Sequence, residues 1–153
     1  MSKIDAFFER FKLMTNNQHA TFKDAFFFDL TKDSASFLLD LVLKGQKRAT
    51  ASSLYAYQIE KEELPKIGEY SIVTDFDGHP YAVIQTKAIT ILPYKDMTYD
   101  ICMREGEDDT LSSWQQSHQH FFTEEGKLLG YTFSEDMLVV FEDFEVVYQE
   151  ERK

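Results

Sequence analysis

A lysine and a threonine that could take part in hydrolysis stand close together after a glycine. Lys47 precedes Thr50 by three residues, and Gly45 comes just before both. A hydroxyl at a helix start, beside an ammonium group, could bind an anion or the oxyanion of a tetrahedral intermediate. The plainer interpretation is that Thr50 is an ordinary helix cap and Lys47 a solvated turn residue.

An acidic run supplies candidate acid–base partners for this pair. Glu105, Glu107, Asp108 and Asp109 stand directly before a predicted helix that begins at Leu111. Crowded carboxylates raise one another's pKa values, which prepares one of them to exchange a proton. The alternative is a solvated helix N-terminus, where negative charge is favourable.

The predicted helix from Leu111 to Phe122 carries an apolar stripe that includes a histidine. Trp114, His118 and Phe121 recur at helical spacing, which predicts that all three face inward, with Trp114 in the core. His118 could serve as a general base, although a hydrogen-bonded structural histidine is more common.

No pattern in the chain predicts a cofactor or a metal. Gly-rich phosphate loops, zinc-ligand spacings and the Gly-x-Ser-x-Gly elbow are missing from the sequence. The segment Asp75-Phe76-Asp77-Gly78 resembles the start of a calcium loop, but an Asp-Gly hairpin turn explains it better. Cys102 has no activating neighbour and is expected to be a packing residue.

Composition restricts the partners and the compartment. The 153 residues, 43% of them hydrophobic, suit one domain over residues 1–153. A net charge of -11 disfavours long polyanions, so DNA is not expected as a partner. A single cysteine, a charged N-terminal segment and no apolar run of membrane-spanning length favour the cytoplasm.

One local exception to the negative charge is expected. Lys44, Lys47 and Arg48 crowd together, and no acidic residue occurs between Asp40 and Glu60. We therefore expect a small positive hollow, centred on Lys47, Arg48 and the helix start near Thr50, that collects an anion.

The first half of the chain is predicted to be mainly helical. Ile4, Phe7, Phe8, Phe11 and Met14 indicate an amphipathic helix that ends at Asn16-Asn17. A second helix begins after Asp33 or Ser34 and ends at Gly45, and its buried positions are Phe37, Leu38, Leu41 and Val42. A third begins at Thr50 and ends before Pro65, with a strand over Ala49 to Tyr55 as the alternative.

The second half is predicted to form a sheet with one helix inserted. Strands are expected at Tyr70–Val73, Tyr81–Leu92 and Met137–Tyr148, with the hairpin turn between the first two. This order of elements is typical of an α+β fold with a mostly antiparallel, curved or barrel-like sheet.

Several blocks of sequence resemble the ASCH domain family, in its bacterial branch of single-domain length. The blocks are Leu41 to Ser52, Leu64 to Glu69 and Glu105 to Trp114, followed by His118, Phe121-Phe122 and Phe141-Glu142. The resemblance extends over nearly the whole chain. It implies a PUA-like fold, a small β-barrel of mostly antiparallel strands flanked by helices.

The resemblance also implies a cleft for RNA or a modified nucleoside. Some relatives are amidohydrolases that act on N(4)-acetylcytidine, and others are ribonucleases. The family's lysine and threonine fall on Lys47 and Thr50, and its catalytic glutamate falls on Glu105 or Glu107. The substrate-binding candidates are Arg48, Tyr55, Tyr94 and His118.

The sequence therefore supports a hydrolase of a small nucleoside-like amide as the first hypothesis. Thr50 is the nucleophile or orients the water, and Glu105 or Glu107 moves the proton. A lysine near carboxylates has a raised pKa, so Lys47 is expected to stabilise the oxyanion while a carboxylate acts as the base. The alternatives are a non-catalytic RNA- or nucleotide-binding module and a ribonuclease.

Overall fold

The computed structural model describes residues 1–152 as an α+β fold with five α-helices and a five-stranded sheet. The helices are α1 Lys3–Thr15, α2 Lys32–Leu43, α3 Leu54–Glu60, α4 Tyr99–Cys102 and α5 Leu111–Leu129. The strands are β1 Phe22–Phe26, β2 Ala49–Ser53, β3 Tyr70–Thr74, β4 Pro80–Pro93 and β5 Leu138–Gln149. Within this part of the chain, no helix is long and apolar enough to cross a membrane.

The sheet is open, so the small β-barrel that the family resemblance implied is not formed. Its strand order is β1-β3-β4-β5-β2, and β1 and β2 are its two edges. The β1–β3 pair is parallel and the other pairs are antiparallel, which confirms the mostly antiparallel arrangement. Side chains of both edge strands line one cleft, and the sheet does not close because β1 and β2 do not pair with each other.

The N-terminal helix α1 forms as predicted and covers one face of the sheet. The hydroxyl of Ser2 accepts a hydrogen bond from the backbone N–H of Asp5, and Asn16 ends the helix in the left-handed conformation. Phe7, Phe8 and Phe11 pack against side chains of β3 and β4, chiefly Ile72 and Val83.

Helix α2 lies on the opposite face of the same strands, and two details of its prediction are wrong. Thr31 is the N-cap, ahead of the expected Asp33 or Ser34, because its hydroxyl accepts from the Ser34 N–H. Phe37 is 59% exposed because it lies on the outer side of the helix, whereas Leu38 is buried. The predicted stop at Gly45 is confirmed, and this residue has a φ of 79°.

Thr50 is a strand residue and does not cap a helix. Backbone pairing of β2 with β5 holds Thr50 opposite Glu142, so the alternative strand interpretation is confirmed for Ala49–Ser53 and wrong for Leu54 and Tyr55, which belong to α3. Ser53 caps the helix that follows, α3, by accepting from the Tyr55 N–H. Because side chains alternate along a strand, Ala49 and Ala51 pack in the core while Thr50 is half-buried at a cleft.

Helix α5 begins at the predicted Leu111 and continues to Leu129, beyond the predicted end at Phe122. Thr110 caps it and Gly130 ends it in the left-handed conformation. Trp114 and His118 are buried, as predicted, and Phe121 is partly buried. Together with Phe122, Trp114 packs against the strand residues Ala49, Ala51, Val139 and Phe141.

The predicted hairpin is confirmed, and strand β1 was missed. β3 and β4 pair in an antiparallel register around residues 75–79. At this turn Asp75, Asp77 and His79 place their ligand-type atoms within 4.8 Å of one another. β1 gave no clear signal because it is a short edge strand with charged residues inside it, Lys23 and Asp24.

The packing of α5 predicts a large difference between two aromatic truncations. Trp114→Ala removes a fully buried side chain and should lower the free energy of unfolding by about 3–5 kcal/mol. Phe37→Ala removes an exposed ring and should change it by less than about 0.5 kcal/mol. Chemical denaturation of both variants measures the difference, and equal effects would contradict this description of the core.

Candidate functional site

Lys47 is a fully buried ammonium group held by three acceptors. Its side chain is only 1% exposed. Its Nζ donates to the backbone oxygen of Ala49 at 2.8 Å, to Glu107 Oε2 at 2.5 Å and to Glu105 Oε2 at 3.3 Å. Burial opposes the charge, but the two carboxylates outweigh it and hold the pKa of Lys47 above its usual value. Lys47 is therefore a fixed cation.

Glu105 is the buried carboxylate on which the other groups converge. While its Oε2 accepts from Lys47, its Oε1 accepts a hydrogen bond from Trp114 Nε1 at 2.6 Å. The same Oε1 lies 3.1 Å from His118 Nε2. Burial alone would raise the pKa of Glu105, yet the charges of His118 and Lys47 and these hydrogen bonds lower it well below its usual range. Glu105 is consequently ionised at neutral pH and has little tendency to take up a proton.

His118 is placed as a cation. Its Nδ1 lies 2.9 Å from the carbonyl oxygen of Trp114, and its Nε2 faces Glu105. Two acceptors require a proton on each ring nitrogen. Burial works against this charge, but Glu105 outweighs it and raises the pKa of His118. The ring also stacks on the Trp114 indole, with centroids 4.2 Å apart.

Glu107 is the one carboxylate of the site that is poised to exchange protons near neutral pH. Its burial, together with the negative charge of Glu105, raises its pKa to about 7 even though Lys47 pulls in the opposite direction. Its side chain is also 20% exposed, which gives it access to the cavity. The two glutamates therefore have different chemistry, although only Gly106 separates them.

A tight contact between two loops brings the carboxylates to Lys47. Gly106 has a φ of 73°, and a Cβ on it would lie 2.1 Å from the backbone oxygen of Gln46. Gln46 Nε2 donates to the Gly106 carbonyl at 2.7 Å, and the Arg48 N–H donates to the Arg104 carbonyl at 3.0 Å. Only glycine allows this approach without displacing the backbone.

Two adjoining cavities open at this cluster. The smaller, of about 90 Å³, is lined by Lys47, Glu105, Glu107, His118 and Thr50 among others. The larger cleft, of about 370 Å³, runs between the two edge strands. Thr50 lines both, as do Phe28 and Phe121, so Thr50 lies where the cleft meets the charged cluster.

Five of the eight residues predicted for the site line one cavity, and three line neither. The five are Lys47, Thr50, Glu105, Glu107 and His118. Tyr94 is a core residue whose hydroxyl donates to the Gln115 carbonyl at 2.7 Å. The ring of Tyr55 packs in a tilted arrangement against that of Tyr131, and Arg48 is exposed outside both cavities.

The expectation of a positively charged hollow at Lys47, Arg48 and Thr50 is wrong. Lys47 is neutralised by Glu105 and Glu107, Arg48 lies elsewhere, and no helix begins at Thr50. The sequence could not show this because the carboxylates come from a loop almost 60 residues away.

Sequence reasoning also missed Phe28 and Asp29, which line both cavities. Glu142 left a signal, since the acidic pair Glu142-Asp143 interrupts the apolar pattern of its strand.

Comparison with known proteins identifies the family. Residues 24–148 match the family model of the ASCH domain. The chain belongs to the ASCH domain family. An ASCH domain from Lactobacillus crispatus JV V101 superposes with a TM-score of 0.87 at 34% identity, covering 96% of this chain and 95% of that one.

A second solved structure agrees with this assignment. A protein from Enterococcus faecalis V583 superposes with a TM-score of 0.87 at 33% identity, covering 94% of this chain and 87% of that one. No curated protein sequence matches the chain. The family and the fold are thus established, and the chemistry of this ASCH domain has to be argued from its own residues.

The loop contact at Gly106 predicts a sensitive position. Gly106→Ala places a methyl group against the Gln46 carbonyl and adds strain at a positive φ, so stability should fall by about 1–3 kcal/mol. Gly78→Ala is the control for φ strain alone, because Gly78 has a φ of 88° but open space around it. Equal thermal midpoints for the two variants would argue against the close approach.

The contacts of His118 predict its protonation behaviour. The pKa of His118 is higher in the folded state than in the unfolded state, so protonation of its ring stabilises the fold. This contribution is complete below the unfolded-state pKa of about 6.5, and it is lost as the pH rises through the folded-state pKa. In Glu105→Gln, this loss should move to lower pH. Nitrogen NMR of the His118 ring measures the pKa directly, and an unchanged titration in Glu105→Gln would contradict the assigned ion pair.

Proposed function

We propose that this ASCH domain hydrolyses the amide bond of a small N-acylated compound of the N(4)-acetylcytidine type. The observation that carries the proposal is the ion pair between Glu107, whose pKa is about 7, and the buried, charged Lys47 in a cavity that Thr50 also lines. A proton-exchanging carboxylate, a fixed cation and a hydroxyl can together carry out amide hydrolysis.

The environments of the groups decide their roles. Lys47 is unsuited to act as a base, because it is charged and donates all its hydrogen bonds to Ala49, Glu105 and Glu107. Its charge can stabilise the oxyanion that develops on the amide carbonyl. Glu107 is the base, and Glu105 serves as a positioning residue for Lys47 and His118.

The reaction balances with these groups and one water molecule. Thr50 supplies the attacking hydroxyl or orients the attacking water, and Glu107 accepts the proton as the new C–O bond forms. The protonated Glu107 then gives this proton to the amide nitrogen, the C–N bond breaks, and the amine leaves. The products are a carboxylic acid and a free amine, after hydrolysis of the acyl-threonine if Thr50 is the nucleophile.

Binding of an RNA chain is the weaker candidate. RNA affinity rests largely on basic groups that neutralise phosphates. The cleft instead has Lys23 as its one cationic side chain within residues 1–152 and six carboxylate side chains. No arrangement of basic groups along the cleft supports the non-catalytic RNA-binding module or the ribonuclease.

Turnover of N(4)-acetylcytidine by the purified protein, followed as release of cytidine, tests the proposal. Glu107→Gln and Lys47→Met should each lower kcat/KM by about 10²–10⁴-fold. The wild-type rate should rise with pH through about 7, because Glu107 must be unprotonated to act as the base. Thr50→Val removes the hydroxyl at nearly constant shape and should abolish turnover.

Matched controls come from neighbouring exposed residues that line neither cavity. Lys44→Met and Asp109→Asn remove the same types of charge close in sequence to Lys47 and Glu107. Both should retain the wild-type rate. No release of cytidine above a Lys47→Met background, with all proteins folded, would disprove the amidohydrolase assignment.

A further inference from the structure

The larger cleft beside Thr50 combines aromatic walls with an excess of negative charge. The rings of Phe26, Phe28, Tyr57 and Phe121 line it. Its acidic side chains are Asp24, Asp29, Glu60, Glu62, Glu125 and Glu142. The Nζ of its cation, Lys23, donates to the backbone carbonyl of Glu63. A flat, uncharged ligand with N–H donors suits such a cleft, and a phosphate does not.

Glu142 is the acidic group of the cleft that lies beside Thr50 in the sheet. It lies directly opposite Thr50 on the neighbouring strand, so the two side chains project from the same face of the sheet. The hydroxyl of Thr86 donates to Glu142 Oε2 at 2.6 Å and fixes the carboxylate. Burial also raises the pKa of Glu142, which indicates a largely dehydrated group.

The second oxygen of Glu142 is available to a ligand. Among residues 1–152, no side chain donates a hydrogen bond to Oε1. Every fully buried side-chain oxygen or nitrogen atom in this part of the chain has a hydrogen-bond partner, so Oε1, which has none, is accessible. The cavity that Glu142 lines is the cleft. A carboxylate that is held by one oxygen and open at the other is an acceptor site for an N–H group.

We infer that Glu142 determines specificity by accepting a hydrogen bond from an N–H group of the ligand, and that the cleft admits nucleosides but excludes their phosphates. The inference rests on the proposed function for its ligand class. A carboxylate is a suitable acceptor for the exocyclic amino group of cytosine. The aromatic rings stack on the base, and the remaining carboxylates repel a 5′-phosphate.

Calorimetric titration with cytidine and with cytidine 5′-monophosphate tests the inference on the full chain. Wild-type protein should bind cytidine at least about tenfold more tightly than the monophosphate. Glu142→Gln keeps an acceptor for Thr86 but loses the charge, and should weaken cytidine binding by at least about tenfold. Glu145→Gln, an exposed change on the same strand outside both cavities, should leave both affinities unchanged.

Three results would overturn the inference: wild-type affinity for cytidine in a folded Glu142→Gln, equal affinities for the two ligands, or no binding of cytidine at millimolar concentration. If Glu142→Gln loses its thermal midpoint, Glu142→Asp replaces it. Glu142→Asp should lower the affinity for cytidine because its shorter side chain withdraws Oε1.

Binding of the product cytidine requires no turnover. Failed hydrolysis with Glu142-dependent cytidine binding would therefore disprove the proposed function alone, and hydrolysis with an unchanged KM in Glu142→Gln would disprove the inference alone.

Discussion

The burial of the Lys47 charge is the interaction on which the rest of the site depends. Removing an ammonium group from water costs several kcal/mol, and only well-placed opposite charges offset this. Glu105 and Glu107 provide them, and both come from a loop that must approach Lys47 closely. The positive φ and the missing side chain of Gly106 make that approach possible. The backbone of this loop is therefore as much a part of the site as its carboxylates.

Two glutamates separated by one residue acquire opposite properties from their surroundings. Glu105 accepts hydrogen bonds from Trp114, His118 and Lys47, so its charge is fully compensated and its pKa falls. Glu107 is bonded to Lys47 but also feels the charge of Glu105, and its burial raises its pKa. Glu105 then holds the cations in place, and Glu107 is able to exchange protons. Acid–base catalysis depends on such a difference in pKa between neighbouring groups.

The open sheet leaves a cleft beside the charged cluster. Edge strands β1 and β2 do not pair, and the cleft between them leads to Thr50 at the boundary of the charged cavity. The aromatic and acidic lining of this cleft comes from separate segments of the chain, including the β1 region, α3, α5 and β5. The excess of carboxylates in this cleft disfavours a polyanion, in agreement with the net charge of -11.

The sequence alone determined the α+β class, the family and most of the elements, because these depend on local periodicity and on ordered blocks of residues. It also identified Lys47, Thr50, Glu105, Glu107 and His118 as candidates. Only the tertiary structure decided that Lys47 is neutralised, that Thr50 belongs to a strand, and that Tyr94 lies in the core. These outcomes depend on contacts between distant segments, and the sign and strength of a local electric field follow from such contacts and not from neighbours in sequence.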